Sequence, residues 1–302
     1  MSYDLISPLV IGISSRALFN LEKENEIFEK EGLRAYVEYT REHENEPLQP
    51  GSAFGLVQAL LSLNSGTKNR VEVIIMSRNS PDTSLRIFHS VKHHALPITR
   101  AALTGGASLV PYLKAFHTDL FLSADAADVK AAVDEGVAAA QIIAGPAFAD
   151  KPIDKIRIAF DADAVLFSAE SEKIYKSRGI EAFQENEETK ADIPLPEGPF
   201  ANFLRAIARI QDEYEDREHA PIRTALVTSR NAPAHERPIK TLRYWGIRID
   251  EAFFLGGVQK KEVLEAFAPH IFFDDQEIHT GPASEVVAAA RVPYRDGDDP
   301  TR

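Results

Sequence analysis

The chain has 302 residues, 44% of them apolar and 26% charged, with no cysteine, a formal charge of −12 and a pI near 5.3. That length suits about two domains, with enough core to fold without disulfides or a structural metal. The acidic balance opposes the nucleic-acid backbone. The most apolar long stretch, Gly136–Ala149, is too short to span a bilayer and contains Gln141 and Pro146.

The start, Met1-Ser2-Tyr3-Asp4, lacks the basic-then-apolar pattern of a secretion signal. Together with the missing cysteines, this predicts a soluble protein of a reducing compartment. In chain order, Leu9–Ile13 reads as a short buried strand, Ala53–Leu63 as a helix, and Val71–Met76 and Asp119–Leu122 as further strands. The stretch around Gly145–Asp154, with Pro146 and Pro152, reads as a boundary. Beyond it, Ile156–Phe160, Thr224–Val227 and Ile271–Phe273 read as strands, and Phe200–Tyr214 and Lys261–Phe267 as helices. The tail from Arg295 is polar, and fraying is expected there. Strands alternating with helices predict an α/β fold with a parallel sheet covered on both faces.

The sequence also repeats itself. Ser14-Ser15-Arg16-Ala17 stands 147 residues before Asp161-Ala162-Asp163-Ala164, and Gly32, Tyr36 and Pro47-Leu48 stand at the same spacing before Gly179, Phe183 and Pro194-Leu195. Ser77-Arg78-Asn79-Ser80-Pro81 matches Ser229-Arg230-Asn231-Ala232-Pro233, and Gly105-Gly106 matches Gly256-Gly257. Ordered matches at a nearly fixed spacing predict an internal duplication. The fold is expected to be two tandem Rossmann-like halves, residues 1–150 and 151–302.

Ligands of an open parallel sheet bind at the carboxyl ends of its strands. In the second half those ends carry Asp161 and Asp163, then Thr228, then Asp274 and Asp275, while Lys260 opens a helix after the Gly256-Gly257 turn. One carboxylate can attack phosphorus, and a second can protonate the leaving alkoxide and later activate water. A magnesium ion, which takes oxygen ligands, would relieve the repulsion between these carboxylates and a phosphate. A lysine and a hydroxyl suit the remaining phosphoryl oxygens.

These residues, in this order, resemble the four motifs of the haloacid dehalogenase superfamily. The resemblance implies Asp161 as nucleophile, Asp163 as general acid/base, Thr228 and Lys260 as phosphate binders, and Asp274 and Asp275 as metal ligands. Asp161 and the backbone carbonyl of Asp163 would complete the Mg2+ site. Longer strings look like cytosolic type I 5′-nucleotidases: Ser14–Phe19, His43–Pro47, Ser123–Asp125, Asp163–Ser168, Lys240–Arg243 and His270–Gln276. That likeness implies hydrolysis of nucleoside 5′-monophosphates such as AMP, a cytoplasmic location and a homo-oligomer. Ala162 departs from the glycine expected in relatives, by one methyl group.

Arg230 is expected either at the substrate phosphate or in a surface ion pair. Lys261 is read as the solvated neighbour of Lys260. Glu170–Pro199 is longer than a simple crossover, and the superfamily resemblance makes it a small helical cap, within about residues 168–200. Phe183 or Phe200 would then stack on a base, or both belong to the core. His43 and the His93-His94 pair are read as surface residues.

The first half carries Ser14, Arg16, Met76, Leu109 and Ser123-Ala124 at the matching places, so it lacks the reactive set. It is expected to be non-catalytic. Arg16 and Arg78, with Ser14, Ser77 and Thr104, would suit a nucleotide effector in a regulatory site. The alternative is a half that only completes the fold or an interface. For the whole protein, the competing readings are a phosphatase for another small ester, such as a sugar phosphate, and a non-catalytic nucleotide sensor.

Overall fold

The computed structural model describes residues 5–66, 68–143, 145, 154–214, 216, 218–295 and 297–299. It is a mixed α/β fold built on one large, mostly parallel sheet with flanking helices. Most of the boundary segment expected around Gly145–Asp154, with Pro146 and Pro152, lies outside the described residues, as do Met1–Asp4.

Among the described residues the first region runs β1 (Leu9–Ile13), α1 (Ser15–Leu18), α2 (Glu22–Glu42), α3 (Phe54–Leu61), β2 (Val71–Ser77), α4 (Leu85–His93), β3 (Arg100–Leu103), α5 (Val110–Ala115), β4 (Leu120–Ser123), α6 (Ala126–Asp134) and β5 (Ala139–Ile143). The second runs β6 (Ile156–Phe160), α7 (Glu170–Thr189), α8 (Ala201–Gln211), β7 (Ile222–Thr228), α9 (Glu236–Tyr244), β8 (Glu251–Phe254), α10 (Lys260–Phe267), β9 (Ile271–Asp274), α11 (Glu277–Ser284) and β10 (Ala289–Arg291). The ten strands form one sheet in the order β3-β2-β1-β4-β5-β10-β9-β6-β7-β8.

The central strands are mostly apolar, with isolated polar residues such as Glu72, Arg157 and Arg223. Leu9–Ile13 and Val71–Ser77 are buried at every position, as β-branched and aliphatic runs in parallel sheets are. The sequence expectation missed β3, β5, β8 and β10. These are short strands with alanine, arginine or glutamate, and pairing with a neighbour defines them more than composition does.

The parallel expectation fails at one joint. β5 and β10 pair antiparallel, with Gln141 opposite Arg291. In β4, Ser123 pairs with Gln141, and in β9, Asp274 pairs with Arg291. The carboxyl ends of β4 and β9 therefore reach the same level of the sheet from opposite directions.

Glu170–Pro199 leaves the body and returns beside its start: Ser168 N–H donates to Pro196 (2.8 Å) and Gly198 N–H to Leu166 (2.8 Å). The excursion holds α7, which bends at Gly179. His94 is not a plain surface residue. Its Nε2 lies 2.8 Å from the Leu48 carbonyl and its ring stacks on Phe19.

Candidate active site

β6 delivers Asp161 directly. Its N–H donates to the Phe273 carbonyl at 2.8 Å, which continues the β6–β9 ladder and sets the residue beside Asp274 and Asp275. All three aspartates are buried, and one carboxyl oxygen from each lies within 4.8 Å of the others. Lys260, the first residue of α10, reaches between them. Its Nζ donates to Asp161 Oδ1 at 2.7 Å and to Asp274 Oδ2 at 2.6 Å. Asp274 Oδ1 accepts from the Gln276 N–H at 2.8 Å. Thr228 is buried at the end of β7, and its hydroxyl accepts from the Arg230 N–H at 3.2 Å.

Burial pushes the Asp161 carboxyl up to about 6, with Lys260 pulling down and Asp274 and Asp163 pushing up. Burial also raises Asp274, against Lys260, and raises Asp275 well above the usual carboxylate range, helped by Asp274 and Asp161. For Lys260, burial disfavours the ammonium, but the Asp161 and Asp274 carboxylates outweigh it and raise its pKa. Three ionised carboxylates against one ammonium leave two negative charges, which one divalent cation would balance. The donor set is all oxygen, the type that hard cations such as magnesium take. Asp275 Oδ1 is buried without a hydrogen-bond partner. An orphaned buried oxygen is costly unless something such as a cation takes it, so the residues fit a metal.

Asp163 is held elsewhere. Arg230 donates to it in a fork, Nε to Oδ2 at 2.8 Å and Nη2 to Oδ1 at 2.6 Å. Arg230 forms an ion pair, but a buried one and not the surface pair expected for it, because Asp163 and Glu187 enclose its guanidinium. The same guanidinium bonds the Glu187 carboxylate on α7. Glu187 is fully buried, accepts from Ser171 at 2.8 Å and from Arg237 at 3.0 Å, and has its pKa lowered by Arg230 despite burial. The sequence reading missed Glu187 and Arg237. A buried charge inside a polar helical segment carries no local signal.

Phe183 is buried against Tyr175, and the Arg230 guanidinium sits 5.2 Å from its ring centre. Phe200 has 0% exposure and packs on Phe203 and Phe273, so no face of its ring is open to a base. Lys261 is solvated and pairs with Glu285 at 2.5 Å. In the first region Arg16 donates to Asn25 and Glu22 at 2.9 and 3.1 Å, and Arg78 pairs with Asp128 at 2.5 Å. Ser77 meets Ser15 at 3.3 Å, and the Thr104 hydroxyl donates to the Ala107 carbonyl at 2.7 Å. The two arginines thus have separate acidic partners.

Two more residues touch the cluster, and neither was singled out from sequence. The Tyr294 hydroxyl, after β10, donates to Asp275 Oδ2, and Gln276 Nε2 donates to Glu172 on α7 at 3.2 Å. Tyr294 falls just before the tail from Arg295 that was expected to fray. Its contact with Asp275 ties Tyr294 itself to the acids.

Among the described residues no helix is long and apolar enough to cross a membrane. A solved histidinol dehydrogenase from Elizabethkingia anophelis aligns over 96% of this chain and 80% of its own, at 10% identity and a TM-score of 0.24, too low to bear on the fold. Human cytosolic 5′-nucleotidase 1B is 40% identical over 285 residues, covering 90% of this chain and 46% of the human protein, so the chain spans about half the length of the curated relative it matches. The 5′-nucleotidase family profile matches residues 1–299, and at that coverage the chain belongs to the 5′-nucleotidase family.

Proposed function

We propose that this protein is a magnesium-dependent 5′-nucleotidase that hydrolyses nucleoside 5′-monophosphates in the cytoplasm through an aspartyl-phosphate on Asp161. The observation that carries this reading is the buried set of Asp161, Asp274 and Asp275 around Lys260 at the carboxyl ends of β6 and β9. Family membership supplies the substrate class, because the chemistry of the cluster alone suits many phosphate esters.

An Asp161 oxygen attacks phosphorus while the ester P–O bond breaks, and Asp163, protonated and released from one of its two Arg230 bonds, gives a proton to the leaving ribose oxygen. Water then attacks the phosphoryl group, giving its proton back to Asp163. The P–O bond to Asp161 breaks and phosphate leaves. Asp161, Asp274, Asp275 and the Asp163 carbonyl would hold the cation. When bound, it neutralises the carboxylates and polarises the phosphoryl group. Lys260 and Thr228 hold the phosphoryl oxygens. Arg230 orients Asp163 and ties it to α7 through Glu187.

In the same reading the chain is two halves from a duplication, residues 1–150 and 151–302, of which only the second is catalytic. The matched order of elements about the β5–β10 joint supports it. The excursion bearing α7 acts as the cap, with Phe183 at its base. Arg16 and Arg78 have acidic partners of their own, which favours a structural first half over an effector site.

The test is phosphate release from AMP with magnesium, for wild type and Asp161→Asn, beside a panel of other nucleotides and sugar phosphates. Metal-dependent turnover that prefers nucleoside monophosphates and vanishes in the variant supports the reading. Preference for sugar phosphates removes the substrate class. No turnover on any ester by folded protein removes the mechanism.

A further inference from the structure

Asp275 differs from the other two acids of the cluster in how it is held. Asp161 and Asp274 both bond the Lys260 ammonium, and Asp274 also accepts a backbone N–H. Asp275 takes no cation. Its Oδ2 accepts the Tyr294 hydroxyl, and its Oδ1 is buried with no partner. A carboxyl group held at one oxygen by a donor cannot swing, which leaves the other oxygen as a ligand atom of fixed direction.

Tyr294 is itself fixed from the cap side. Lys176 of α7 lies 5.9 Å from its ring centre, near the outer limit for a cation–π contact. Lys176 pairs with Glu172 at 3.1 Å, and Glu172 accepts from Gln276, whose own N–H holds Asp274. A closed circuit thus runs from Asp275 through Tyr294, Lys176, Glu172 and Gln276 to Asp274, and it joins α7 to two carboxylates of the cluster.

We propose that Tyr294 is a positioning residue for the metal site: its hydroxyl orients Asp275 as a one-oxygen ligand, and its ring couples that ligand to α7. This rests on the reading of the acid cluster as a divalent-metal site. The residue comes from the segment after β10, outside the four motifs, so the metal centre depends on the chain well past its last acidic pair.

The experiment is direct Mn2+ binding to full-length protein without substrate, by electron paramagnetic resonance of the free ion, for wild type, Tyr294→Phe and Tyr294→His. Loss of an outer partner of a metal ligand weakens metal binding roughly 10-fold or more, and that is the expected result for Tyr294→Phe. Tyr294→His keeps a ring and a donor and should recover part of the loss, a rescue that a merely packed ring would not give. The AMP KM at saturating metal should stay within about twofold, since the hydroxyl touches no substrate. Unchanged Mn2+ affinity in folded Tyr294→Phe overturns the proposal while leaving the metal site standing. Failure of wild type to bind Mn2+ overturns both. Should Tyr294→Phe not fold, Lys176→Met is read instead: a two- to threefold weaker affinity supports the circuit, and an unchanged one overturns it.

Discussion

At the carboxyl end of β1 the chain sets Ser14 and Arg16, and at the carboxyl end of β6, 147 residues later, it sets Asp161 and Asp163. The backbones there do the same thing. Ser14 N–H donates to Leu122 in β4 and Asp161 N–H to Phe273 in β9, both at 2.8 Å. What differs is the charge each edge must bury. In the first region Met76, Leu109 and Ser123 fill the places that Thr228, Lys260 and Asp274 fill in the second, and all three are buried. Those three places carry no charge, and the arginines of that edge, Arg16 and Arg78, are each paired with an acid. The second edge buries three carboxylates and balances them with Lys260 alone, a costly arrangement that function explains and folding does not.

The largest effect should come from the residue that separates the two edges. Asp161→Asn removes the proposed nucleophile and should cut turnover of AMP on the order of 10⁴-fold or more. The reverse graft, Ser14→Asp with Arg16→Asp, should give no measurable turnover when combined with Asp161→Asn, because Leu109 and Ser123-Ala124 supply neither ammonium nor metal ligands. Activity in that triple variant would mean that the strand edge, and not its full set of side chains, makes the site.

Much of this was legible in the sequence because each motif sits at the end of an apolar run. Leu9–Ile13 and Ile156–Phe160 were bounded to the residue, and every strand carrying a proposed catalytic group was found. The antiparallel β5–β10 joint was not. β10 is Ala-Ala-Arg, which no periodicity marks, and its direction shows only in the register with β5, Ala289 opposite Ile143 and Arg291 opposite Gln141. The partners of the site were missed for a similar reason. Glu187, Arg237 and Tyr294 are ordinary polar residues in sequence, and only tertiary packing buries them or brings them to the acids. Arg230 stays between two roles in the sequence, phosphate binder or surface pair, and its buried fork on Asp163 is visible only in the fold.

The second-largest effect concerns the arginine common to both regions. Arg86 is the second residue of α4 and Arg237 the second of α9, 151 residues apart. Each bonds a buried glutamate on the long bent helix of its own region: Arg86 to Glu24, Arg237 to Glu187. Glu24 is paired with Arg86, whereas Glu187 without Arg237 keeps Arg230. Arg86→Met should therefore cost about 3–5 kcal/mol, as stranding a buried charge does. Arg237→Met should cost about 2 kcal/mol, nearer the worth of hydrogen bonds to a charged group. Denaturant unfolding of both variants checks this, and equal losses would mean that Arg230 does not support Glu187.

Metal removal should also separate the regions. The Asp161 carboxyl is raised to about 6 in the fold, above its unfolded value of 3.8, and Asp274 and Asp275 move the same way. A raised carboxyl stabilises the fold below its unfolded pKa, and that contribution is lost as pH rises through the folded value. Metal-free protein should therefore lose stability from this cluster between about pH 4 and pH 6. Magnesium, which needs the ionised form, should restore it above that window. At roughly 100 times its dissociation constant, the ion should add about 2.7 kcal/mol, or about 5 °C of melting temperature, at pH 7.5. It should add little at pH 5, and Asp161→Asn with Asp275→Asn should abolish the difference. A magnesium effect that survives in that variant would place the ion elsewhere.

The smallest effect tests what the bent helices are for. α2 bends at Gly32 (φ 85°, ψ −179°) and α7 at Gly179 (φ 83°, ψ −178°), a backbone region essentially reserved for glycine. A methyl group at either position would meet nothing within 4 Å, so alanine is opposed by the backbone alone and should cost about 1–3 kcal/mol in each case. The stability losses should match because the two bends match. The kinetic consequences should not. Only α7 carries Glu172, Lys176 and Glu187 toward the acids, so Gly179→Ala should raise the KM for AMP several-fold while Gly32→Ala leaves it unchanged. Melting curves and steady-state kinetics on the pair read both quantities. A KM that moves equally in the two variants, or in neither, would remove α7 from substrate binding and leave both bends as shared features of how the chain wraps its sheet.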